Sequence, residues 1–150
     1  MPRSKRWTDD DGNASLEFVT TGMILLLPLV YLVLVMAAVQ AGSLAVEGAA
    51  RQAVRVFVQS RTIDEAQARA ERAIQFGLKD YGLDAKDATV SVTCQPRPDD
   101  CLRRLGTVTV NIAVAVRLPL VPAAITVNLP LEVPLKATAT EQVSRFWSGQ

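Results

Sequence analysis

The stretch Gly12-Asn13-Ala14-Ser15-Leu16-Glu17-Phe18-Val19-Thr20-Thr21-Gly22-Met23-Ile24-Leu25-Leu26-Leu27-Pro28-Leu29-Val30 decides how this chain is organised. No side chain from residue 18 to residue 46 carries a charge. As a helix rising 1.5 Å per residue this segment is roughly 43 Å long, more than the roughly 30 Å hydrocarbon layer of a bilayer. Residues 23–36 are apolar on every side, which excludes a surface helix with a single greasy face, and the length argues against a buried core helix. One carboxylate, Glu17, stands at the mouth of this helix. An acidic side chain costs about 2.5–3.5 kcal/mol at a bilayer centre and less near the interface, so its position asks for a reason.

Upstream, Arg3, Lys5 and Arg6 make a short, partly basic leader that also holds Asp9, Asp10 and Asp11. A secretory signal is the competing assignment, because Ala41-Gly42-Ser43 supplies small residues for cleavage. The acidic leader and the overlong apolar region fit such a signal badly. Arg51, Arg55 and Arg61 beyond the segment match the three leader cations, so the positive-inside rule gives no orientation.

Past Met36 the helix changes character. Ala38, Gly42, Ala45, Ala49 and Ala53 recur at spacings of three and four, a face on which another backbone can approach closely. Two occupants fit it: neighbouring helices, or this chain's own strands. Glu47, Arg51 and Arg55 follow four apart on an adjacent face and support a continuing, wet helix. One rod is expected over residues 13–60, with its membrane segment at about 18–40 and a kink or loosening at Pro28.

Thr62-Ile63-Asp64-Glu65 reads as a capping box. Ile63, Ala66, Ala70, Ile74, Gly77 and Tyr81 then mark one side of a second, amphipathic helix that Gly82 stops. Afterwards the apolar period becomes two, with Val90 and Val92 before a polar loop and Val108, Val110, Ile112, Val114 and Val116 beyond it, the pattern of a hairpin. A third run from Ile125 to Leu135 contains Pro130 and Pro134, which confine it to an edge or to two short pieces, and residues 137–143 offer a final strand. Leu118-Pro119-Leu120-Val121-Pro122 makes a stiff connector. The fold class expected is α+β: a long N-terminal transmembrane helix, a second helix, and an antiparallel sheet of three to four strands covered on one side. The domains expected are a leader at 1–12, the long helix at 13–60, and an α+β domain at 61–150 lying outside the cytoplasm.

Composition narrows the chemistry. The 150 residues carry a net charge of +1 with dispersed basic residues, which gives no footprint for nucleic acid. Histidine is absent, removing the commonest general base and metal ligand, and no cofactor or metal is expected. Cys94 and Cys101 are too few for a thiolate zinc site. The turn-prone Gln95-Pro96-Arg97-Pro98-Asp99-Asp100 between them lets the ends meet in a disulfide if the compartment is oxidising; otherwise two free thiols remain. Asp99 and Asp100 adjoin in that loop as an ordinary solvated pair.

A glycine, four residues, a glutamate, an aromatic residue and a long apolar helix form the processing signature of type IV pilins and pseudopilins, which Gly12 through Phe18 resembles. Val46-Glu47-Gly48-Ala49-Ala50-Arg51 is similar to the Glu-Gly-Ala-Arg neighbourhood of TadE-like proteins, with one alanine more, and Ala137-Thr138-Ala139-Thr140-Glu141 is similar to their terminal strands. The resemblance implies a pilin-like fold and a minor pilin or assembly subunit of a tight-adherence pilus in the bacterial cytoplasmic membrane. It also implies cleavage between Gly12 and Asn13 by a prepilin peptidase, and partnership with other pilin-like subunits, the assembly platform and membrane lipid. The new Asn13 amine would be a cation that Glu17 neutralises, within one subunit or between neighbours, unless that carboxylate simply stays hydrated at the interface.

Three functions are therefore expected to compete. The first is a structural subunit, with Gly12 and Asn13 as processing site, Glu17 for assembly, Ala38, Gly42, Ala45 and Ala49 for helix packing, and Cys94 with Cys101 as a disulfide. The second is an uncleaved single-pass tether for an outer binding module. The third, an extracytoplasmic enzyme, has no catalytic constellation behind it.

Overall fold

The computed structural model describes residues 13–119 and 132–148. Its elements are α1 (Asn13–Val58), α2 (Ile63–Lys79), a single 3₁₀ turn (Ala85–Asp87), β1 (Thr89–Gln95), β2 (Thr107–Arg117) and β3 (Glu132–Gln142). The chain divides into two compact units between Met36 and Ala37, inside α1.

In the first unit every side chain from residue 15 to residue 34 is exposed, and α1 is long and apolar enough to cross a membrane. The helix continues unbroken through Pro28, which removes only one backbone donor.

The second unit is built around the remainder of α1. Ala45, Val46, Ala49, Ala50, Ala53, Val54 and Phe57 are buried from it, and α2 contributes Ala66, Ala70, Ile74 and Leu78. Small residues on α1 let the partners come close: a Cβ at Gly77 of α2 would stand 3.2 Å from the Ala49 Cα. The buried stripe of α2 is centred on positions 66, 70, 74 and 78, so Leu78 is a core residue, whereas Ile63 and Tyr81 at the ends of the expected stripe are 38% and 51% exposed. Thr62 caps α2, its hydroxyl accepting from the Glu65 N–H at 3.2 Å. At the other end Gly82 takes a φ of 72° while Leu83 N–H donates to the Leu78 carbonyl at 3.0 Å, a glycine-dependent stop.

The sheet is antiparallel in the order β1-β2-β3. β2 alternates strictly, with Val108, Val110, Ile112, Val114 and Val116 buried beneath the helices and its other face turned outward. Val133, Leu135 and residues 137–142 belong to one strand, β3, and Pro134 is accommodated there because β3 is an edge in the described sheet. The expected strand residues 125–131, with Pro130, lie outside the described residues, as do 120–122 of the connector. The described fold is thus α+β with three strands.

Candidate functional site

Glu17 lies one turn into α1, among exposed apolar side chains such as Leu16 and Phe18. Nearby Thr20 satisfies its hydroxyl inside the helix by donating to the Leu16 carbonyl at 2.8 Å, an arrangement compatible with an apolar surround. Glu17 has no such resolution: among the described residues it has neither an ion-pair nor a hydrogen-bond partner. The next charged residue along the helix is Glu47, which is exposed and pairs with Arg51 at 3.3 Å. Asn13 is the first residue of α1, and Gly12 lies outside the described residues.

The small-residue face has an occupant within the chain. Gly42, Ala45 and Ala49 are buried and Ala38 is half-buried. A Cβ at Gly42 would meet Leu135 of β3 and Val116 of β2 at 2.8 Å, and Ala49 lies against Gly77. The strands and α2 thus sit where a neighbouring helix was the other candidate.

Cys94 and Cys101 form a disulfide with their Cα atoms 5.1 Å apart. It ties the end of β1 to the polar loop, beside buried Leu102. The loop closes with Leu105 at a φ of 61° and with Gly106, where a Cβ would lie 2.9 Å from the Arg103 carbonyl oxygen.

Two features lie outside the sequence reading. Trp147 donates its indole N–H to the Ser60 carbonyl at 2.9 Å and accepts from Arg104 Nε at 2.7 Å, closing the turn between α1 and α2 against the segment after β3. The outer face of the sheet carries a hydroxyl and amide array: Thr138 donates to Asn111 at 2.7 Å, Asn111 donates to Ser91 at 3.4 Å, and Thr109 pairs with Thr140 at 2.9 Å. Alternating Thr, Ser and Asn in the strands was the available clue to the array. No local pattern links Trp147 to Ser60.

Capping also shifts one charge. The Arg61 N–H donates to the Glu65 carboxylate at 3.0 Å and holds its pKa below the ordinary value; a smaller desolvation effect opposes this, and Arg69 at 2.7 Å adds to the lowering. Among the described residues no group of three or more His, Cys, Asp or Glu side chains is placed to hold a metal ion. No family model, curated protein or solved structure matches this chain.

Proposed function

We propose that this protein is a membrane-anchored structural subunit of a pilin-like assembly, of the TadE-like kind, with its α+β domain on the extracytoplasmic side. The observation that carries the proposal is the single exposed carboxylate of Glu17, unpartnered among the described residues, on a helix with no other charge before Glu47. In lipid such a group needs a cation. Cleavage after Gly12 creates one, the α-amine of Asn13, one turn away on the same helix or on a neighbouring copy.

The Cys94–Cys101 disulfide suits an oxidising compartment and supports placing the domain outside, with the N-terminus of α1 inside. In this role the protein acts by packing and registering helices with other pilin-like subunits, and a prepilin peptidase acts on it.

N-terminal sequencing of the membrane-extracted protein tests the processing step. A start at Asn13 is expected; a start at Met1 identifies an uncleaved tether, and one near Leu44 a secreted domain. Glu17→Ala is expected to leave membrane insertion intact and to abolish pilus assembly, scored by shed fibres. Normal piliation in that variant refutes the neutralising role.

A further inference from the structure

We propose that the end of the domain nearest Ala38 and Gly42 rests on a bilayer surface of zwitterionic headgroups, with Tyr81 as its aromatic anchor. This rests on the membrane-spanning role of α1. The uncharged segment 18–46 exceeds the hydrocarbon layer by roughly 13 Å at 1.5 Å per residue. Burial of one helix face begins where the surplus begins. Apart from half-buried Val35, residues 18–37 are exposed, and this run of 20 positions measures about 30 Å as helix. From Ala38 the domain covers one face of the helix: Ala38, Val39 and Ala41 are half-buried and Gly42, Ala45 and Val46 are buried, while Gln40, Ser43 and Leu44 stay exposed on the other face. Groups that meet Ala38 to Gly42 therefore lie where hydrocarbon gives way to headgroups.

Those groups line a cleft of about 510 Å³ in which Tyr81, Asp84, Asp87 and Arg117 join Ala38 and Gly42. Tyr81 is 51% exposed at the end of α2. A tyrosine ring with an apolar body and a polar tip favours this depth of a membrane. The charges there are mixed. Asp84 and Asp87 face the cleft together with Arg117, whose side chain is 81% exposed although it pairs with Glu132 at 3.2 Å. Among the described residues this rim has no cluster of basic side chains of the kind that holds anionic lipid, and both of its signs find partners in a headgroup bearing one phosphate and one ammonium.

Photo-crosslinking of the full chain in nanodiscs tests this. p-Benzoylphenylalanine is placed singly at Leu32 within the span, at Tyr81, and at Phe146, which is 80% exposed and follows Val143 near Gly106, at the opposite end of β2 from Arg117. Phosphatidylcholine discs are compared with discs that also contain phosphatidylglycerol. Positions 32 and 81 are expected to gain the mass of one phospholipid in both discs, and position 146 none. An adduct at 32 without one at 81, or equal adducts at 81 and 146, overturns the surface contact and leaves the span intact. Adduct at 81 only when phosphatidylglycerol is present overturns the zwitterionic assignment. Absence of adduct at 32 removes the spanning helix and the inference together.

Discussion

At the scale of single residues, the molecule is governed by where it can tolerate a side chain. A Cβ at Gly77 would lie 3.1 Å from the Ala49 Cβ and 3.2 Å from its Cα, so a bulky side chain must push α2 away from α1. Gly77→Leu is expected to destabilise the domain by about 1–3 kcal/mol, read as a lower midpoint in urea unfolding. Gly48, with open space around its Cβ direction, is the matched control, and Gly48→Ala is expected to be neutral or slightly stabilising. Small-residue spacing announced that something packs closely on this face. It did not announce what, because a strand, a helix of the same chain and a helix of another chain all ask for the same absence of bulk. Glu17 was legible for the opposite reason: a charge in a long apolar run is conspicuous without any structure.

Elements are held by local devices that can be tested one at a time. The folded-state pKa of Glu65 is lowered, so the cap contributes stability above the unfolded-state pKa of this group and loses it as pH falls through the folded-state value. Glu65→Gln is accordingly expected to flatten the acid side of the stability–pH curve with little change in its shape above neutrality, measured by denaturant titration at a series of pH values. For the hairpin, the Cys94–Cys101 bridge spans a sequence separation of 7, and a loop that short gives about 2–3 kcal/mol in the chain-entropy account. Cys94→Ser with Cys101→Ser is expected to lower unfolding free energy by that amount; no change would mean the loop is held by Leu102 and Gly106 alone. The capping box, the hairpin and the alternation of β2 could be read from sequence because each is a short-range pattern. The phase of α2 was displaced towards Ile63 and Tyr81 because apolar residues at helix ends satisfy the same periodicity as Leu78, and only packing separates them. The joining of Val133 and Leu135 to residues 137–142 was hidden because Pro134 fits an edge strand and a break between two short pieces equally well, and only the strand order decides between them.

At the scale of the whole molecule, two units share one helix. Leu29→Arg combined with Leu32→Arg adds about 2.5–3.5 kcal/mol each to insertion and is expected to move the protein into the carbonate-soluble fraction. Retention in the membrane would show that something other than α1 holds it there. The unit boundary at Met36 and Ala37 has no turn, glycine run or proline to mark it, since the helix does not change there; only its surroundings do. The hydrogen bond from Trp147 to the Ser60 carbonyl joins positions 87 apart in sequence, and it has a bearing on biogenesis. A ribosome making this chain delivers α1 early, yet the α1–α2 turn acquires its indole latch only after codon 147 has been translated. Until β3 and Trp147 have both emerged the nascent domain waits, tethered and unfinished, with the hydrogen-bonding edge of β2 still open, which makes this the interval in which a chaperone has most to protect.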